Sequence, residues 1–186
     1  MTPWITKPVP FNIGQGAAAE AEECEDTNSE NQGGAGATGW GVYGDADLGV
    51  GMSFDAGHYL VGKEICTVTF WLYNNGTCLG GNTYANLWTG SDRTSPRATS
   101  DAVSMSSIGN GAANMTEIKY TFSSPATLQA GDYMTADIAS CGVAVNWAGD
   151  GSAYETNTIA QEYRSTTGGW QAKTFGNRFK VECNCS

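Results

Sequence analysis

A chain of 186 residues suits one compact domain with an appendage, and its 25 glycines beside scarce helix formers favour strands and turns over helices. The formal net charge of -10, from 19 acidic against nine basic side chains, repels a phosphate backbone, so nucleic acid is excluded as the expected partner. No stretch is apolar for the length of a membrane span, and membrane insertion is not expected.

Residues 1–39 show neither a strand nor a helix period. The chain opens with Thr2-Pro3-Trp4 and Lys7-Pro8-Val9-Pro10-Phe11, whose prolines favour an extended backbone, and passes an acidic run from Glu20 to Glu30 into the glycine-rich Gln32 to Ala37. This segment reads as an extended N-terminal arm. Trp4, Ile5, Val9, Phe11 and Ile13 are the side chains that a groove or sheet edge of a neighbouring subunit would bury. Residues 40–186 read as the folded domain. The N-terminus lacks the charged and apolar regions of a secretory signal. Export is therefore expected either after removal of a leader, with Met1 added, or by lysis inside a particle.

From Leu48 onward short strand-like runs alternate with turns. Gly49 to Phe54 is the first. Cys66 to Tyr73 follows, with Cys66, Val68, Phe70 and Leu72 on one face and Thr67, Thr69, Trp71 and Tyr73 on the other. Asn74-Asn75-Gly76 then signals a turn, and Tyr84 to Trp88 reads as the partner strand. Ala102 to Met105 is a short candidate. Ile118, Tyr120 and Phe122 alternate with Lys119 and Thr121 until Ser123-Ser124-Pro125 stops the run. Ala130-Gly131-Asp132 turns the chain into Tyr133 to Ile138, and further strands are expected at Val143 to Trp147, Ile159 to Arg164 and Phe175 to Val181. Regular short strands with turns between them define an all-β, antiparallel β-sandwich, expected to be a jelly roll of about eight strands.

The six cysteines, Cys24, Cys66, Cys78, Cys141, Cys183 and Cys185, are even in number and lack zinc-type spacing, so they read as a disulfide framework with its pairing open. No metal or cofactor is expected. Asp45, Asp47 and Asp150 offer oxygen ligands for calcium in turn-like sequence, though without a full loop pattern.

Catalysis finds little support. His58 is the only histidine and has no nucleophile motif near it, which argues against a serine-type triad and for a turn or surface residue. Asp137, Glu155 and Glu162 are the carboxylates considered for glycoside cleavage, with no local feature raising them above solvated positions. Trp147, Tyr154, Tyr163 and Trp170 lie in or beside glycine- and serine-rich turns, where a ring could stack on a sugar; Trp147, Tyr154 and Trp170 are the candidate glycan-binding residues. Asn75, Asn114 and Asn184 begin N-glycosylation triplets.

The stretch from about Gly49 to Tyr133 resembles the choice-of-anchor R surface domain and similar sandwich domains of virion fibres. The resemblance lies in Ser53-Phe54, in Val68 to Gly76, in Ala85-Asn86-Leu87-Trp88, and in Tyr120-Thr121-Phe122 with Leu128 to Tyr133. It implies a surface-exposed sandwich and says little about chemistry. The expected function is a non-catalytic structural or interaction subunit at a virion surface (decoration, fibre or tail-associated) or in an extracellular assembly. Its partners would be further copies of the chain or a capsid or fibre protein. A carbohydrate-binding module for surface glycans is the alternative, and a subunit of a prokaryotic surface filament the second.

Overall fold

The computed structural model describes residues 25–27, 38–42, 48–74, 80–89, 95–138, 145–150, 158–164, 169–172, 176–177 and 179–183. Fourteen strands occur among them. In chain order they are β1 (Glu25–Thr27), β2 (Thr38–Val42), β3 (Leu48–Phe54), β4 (Glu64–Asn74), β5 (Asn82–Thr89), β6 (Ala98–Thr99), β7 (Val103–Ser104), β8 (Thr116–Thr127), β9 (Asp132–Ile138), β10 (Val145–Asp150), β11 (Thr158–Arg164), β12 (Gly169–Ala172), β13 (Gly176–Asn177) and β14 (Phe179–Cys183). Single turns of 3-10 helix at Met105–Ser107 and Ala112–Asn114 lie between β7 and β8.

All pairings between these strands are antiparallel, with one isolated parallel bridge from Asn74 to Asn110, and the strands form two sheets. In the first, β4 has β8 along one side, while β14 and β10 follow one another along its other side; β1 lies outside β14 and β2 outside β10. The second runs β12-β11-β3-β9-β5, with β6 and β7 both on the outer side of β5. Several strands are only two or three residues long, so the pieces outnumber the eight expected. Nine strands of five or more residues (β2, β3, β4, β5, β8, β9, β10, β11 and β14) step between the two sheets in chain order. Two strands arise in or beside the segment expected to be an arm: β1 pairs with β14, and β2 with β10.

The period-2 pattern of the sequence builds the core. On β8, Ile118, Tyr120 and Phe122 are buried while Glu117, Lys119 and Thr121 are exposed; on β9, Met134, Ala136 and Ile138 face the same core. Phe54 of the second sheet meets Phe179 of the first edge to face, with centroids 6.1 Å apart, and Phe70 packs beside Tyr120 at 5.4 Å. The Tyr120 hydroxyl lies 3.0 Å from Thr83 Oγ1, which donates to the carbonyl of Asp137 at 2.8 Å. A threonine hydroxyl has one proton, so Tyr120 must be the donor to Thr83. Burial pushes the Tyr120 hydroxyl pKa well above its ordinary value and keeps that proton in place.

Four expectations shift. The register of β4 slips between Ile65 and Thr67, so Ile65 enters the core in place of Cys66, which is only half-buried. Tyr84 to Trp88 does not pair with β4, because β8, β14 and β10 occupy both sides of that strand; β5 crosses to the second sheet and pairs with β9. Nor does β8 stop at Pro125. Between the pairs Thr67–Thr121 and Ile65–Ala126, four residues of β8 (Phe122 to Pro125) lie against one of β4 (Cys66), and pairing resumes at Ala126 and Thr127. Lastly, His58 sits in a turn but points inward. It is 3% exposed, edge-on to Phe54, stacked on Tyr59, and its Nδ1 accepts from the Leu60 N–H.

The ends of the sandwich are closed by polar contacts. The buried Asp132 carboxylate accepts from Arg97, Thr89 and the Gln129 N–H. It follows the expected turn, where Gly131 takes φ +81, a conformation favouring glycine. On the outer surface of the first sheet, Glu182 accepts from Thr67 and Lys119, both at 2.5 Å, with Lys180 at 3.4 Å. The hydrogen bond from Lys119, aided by Thr67, holds the Glu182 carboxyl down to about 2.

Two outcomes are expected in chemical denaturation. Tyr120→Phe should cost about 1 kcal/mol, the net value of one hydrogen bond, while Phe179→Ala should cost about 3–5 kcal/mol through the cavity it leaves. A depressed carboxylate stabilises the fold above its unfolded pKa and loses that contribution as pH falls through the folded value. Wild type should therefore lose stability between about pH 4.5 and about pH 2 more steeply than Glu182→Gln.

Candidate binding face on the second sheet

Alternation along β5 and β9 sends Ala85, Leu87, Met134 and Ala136 to the core and turns Asn86, Trp88, Thr135 and Asp137 to the opposite face of the second sheet. The pairing Asn86 with Thr135, Trp88 with Tyr133 and Tyr84 with Asp137 gathers them into one patch. Asp137 Oδ2 accepts from Asn86 Nδ2 at 2.7 Å and from Thr135 Oγ1 at 2.6 Å, and Thr135 Oγ1 in turn accepts from Trp88 Nε1 at 2.8 Å. All four residues are buried; Trp88 is 6% exposed although it faces away from the core. Tyr84 and Tyr133 are half-buried, so their rings form the accessible part of the patch. Asn86 Oδ1 is buried with no hydrogen-bond partner among the described residues, an acceptor that suits a hydroxyl donor.

Across the sheet, β3 contributes Gly51, paired with Thr135 on one side and Gln161 on the other. An added Cβ at Gly51 would lie 2.4 Å from the Met134 carbonyl oxygen and 2.8 Å from Thr135 Cγ2, so the close approach of β9 requires glycine. Beyond β3, Tyr163 of β11 pairs with Gly49 and with Trp170 of β12. Trp170 and Tyr163 thus hold register positions in the sheet that carries Asn86 and Asp137.

The sequence candidates separate accordingly. Trp147 belongs to β10 of the first sheet, where its register partners are the core residue Leu72 and Trp40, whereas Trp170 belongs to β12 of the second. Asp137, considered as a catalytic carboxylate, is committed to the hydrogen-bonded patch. Glu162 pairs with Val50 and Gln171 on β11, and Asp150, expected in a turn, ends β10 opposite Gly176. Asn114 is exposed, with its side chain donating to the Asn110 carbonyl at 2.7 Å. Trp4, Ile5, Val9, Phe11, Ile13, Cys24, Asp45, Asp47, Asn75, Cys78, Cys141, Tyr154, Glu155, Asn184 and Cys185 lie outside the described residues.

Sequence reading missed Asn86, Trp88 and Thr135. The signal was present in the alternation of both strands. It became a site only once β5 was paired with β9. Comparison with protein families, with curated proteins and with solved structures finds no match.

Because both donors share Asp137 Oδ2, an asparagine carbonyl oxygen in that place keeps both bonds. Asp137→Asn should therefore cost about 1 kcal/mol or less, whereas Asp137→Leu strands two buried donors and should cost about 2–4 kcal/mol in urea unfolding. Equal losses in the two variants would show that the patch is held by packing alone.

Proposed function

We propose that the chain is a non-catalytic structural and interaction subunit of a virion surface or another extracellular assembly, in the manner of the choice-of-anchor and fibre domains it resembles. The stepping of its long strands between two sheets supports a jelly-roll type of wrapping. The observation that carries the reading is the position of β1 and β2, the first described strands, along the outer side of the first sheet. On this reading the residues that precede that margin act as the arm that contacts a neighbour. Trp4, Ile5, Val9, Phe11 and Ile13 then supply the apolar contacts of the arm, with further copies of the chain or a capsid or fibre protein as the partner. Deletion of residues 1–16 should leave a folded, soluble monomer in size-exclusion chromatography. Normal assembly of the truncated chain would refute the arm.

A second reading, a glycan-binding module, is favoured by the patch on the second sheet. A carboxylate, an amide with an open acceptor and half-buried tyrosine rings are groups that match the hydroxyls and apolar faces of sugars. Trp170 and Tyr163 pair with each other on the same sheet, and Trp147 pairs on the first sheet. On a glycan array, binding by the wild type should fall at least tenfold in Tyr133→Ala or Trp170→Ala with circular dichroism unchanged. Silence of the wild type across the array would count against this reading.

A further inference from the structure

β8 pairs with β4 along one side and with no other described strand along the other. In an antiparallel ladder the N–H and C=O of one residue point to the same side of the strand, and successive residues alternate between sides. The Thr121 carbonyl accepts the Asp101 N–H at 2.7 Å, so it points away from β4. Glu117 and Lys119 share its parity and turn their backbone groups to that open side, whereas Ile118 and Tyr120 turn theirs to β4. The side chains of Glu117 and Lys119 are exposed on the outer face of the sheet. Both ends of the open stretch are fixed: β8 begins at Thr116, and Asp101 occupies the edge at Thr121. Its midpoint is Ile118.

We propose that this stretch, Thr116 to Tyr120, is a self-pairing edge that joins two copies of the chain about a two-fold axis at Ile118. An antiparallel copy centred there sets Glu117 against the partner's Lys119, and Lys119 against the partner's Glu117. By parity both are hydrogen-bonded pairs, and both bring opposite charges together on the outer face. The adjacent registers of the same parity do the reverse. Centred on Glu117, the ladder opposes two glutamates; centred on Lys119, it opposes two lysines. Charge therefore selects the register that the ends of the stretch also select. Lys119 already donates to Glu182, but its side chain is 53% exposed and an ammonium has three protons, so it serves both carboxylates. A two-fold contact of this kind uses the same surface of both copies and closes on itself. So short a joint falls in the weak class that buries less than about 1,200 Å². It forms where chains are concentrated, as in an assembly, and separates at the dilution of a size-exclusion column. It is distinct from the arm, which deletion of residues 1–16 tests.

The test is sedimentation equilibrium of the full-length chain over a concentration series, with circular dichroism confirming the fold of each variant. Glu117→Lys and Lys119→Glu should each weaken self-association at least about fivefold, because each opposes like charges twice across the two-fold axis. The double variant restores opposite charges and should recover the wild-type association. A wild type that stays monomeric throughout, equal association in all four proteins, or a double variant no better than the single ones would overturn the proposal. The arm is the same in all four, so association carried by the arm alone gives the second of these outcomes. In hydrogen exchange of the wild type, the amides of Glu117 and Lys119 should gain protection as concentration rises, while those of Ile118 and Tyr120 are protected throughout. Exchange at Glu117 and Lys119 that does not respond to concentration would refute the pairing.

Discussion

The two sheets are tied by a chain of hydrogen bonds that starts in the core and ends on the far face of one of them. Tyr120 donates across the sandwich to Thr83, and Thr83 donates to the backbone of Asp137. The side chain of the same Asp137 gathers Asn86 and Thr135, and Thr135 holds the Trp88 indole. Buried polar groups are costly when unpaired and specific when paired, so this sequence of contacts fixes which strands of the two sheets lie over one another. A hydrophobic core alone would tolerate sliding of one sheet on the other.

That constraint also explains the asymmetry of the two outer faces. On the first sheet, exposed charges meet in solvent, where Glu182 is shared between Lys119 and Lys180. On the second, a carboxylate, an amide and an indole are buried against each other, with tyrosine rings at the margin. Solvated ion pairs contribute little to stability and define no shape. The hydrogen-bonded layer of Asn86, Thr135 and Asp137 instead fixes the positions of its members and of the Trp88 indole.

The all-β class, most strand positions and the core residues of β8 and β9 were legible in the sequence because period-2 alternation is a local signal. Pairing was not. The turn after Asn74 suggested a hairpin, yet β4 was already flanked on both sides by strands distant in sequence, and no local rule shows which partner wins. The slip beside Cys66 was hidden for a related reason, since Ile65 and Cys66 are both apolar and either satisfies the pattern. His58 looked like a surface residue in a polar turn; its burial depends on Phe54 and on the N–H of Leu60. The patch around Asp137 was readable strand by strand and became visible only through their pairing.

The irregular course of β8 carries a consequence for solubility. This strand borders the first sheet on the side away from β14, and a long, flat, apolar margin there would template strand addition between molecules. Instead Ser123, Ser124 and Pro125 fall where its ladder to β4 slips, and Thr121 already accepts the Asp101 N–H. Pro125 has no N–H to offer an incoming strand, and Ser123 is engaged with the Asp101 carboxylate. The sequence feature that looked like a stop thus interrupts, toward the end of β8, the row of backbone groups that an incoming strand would need.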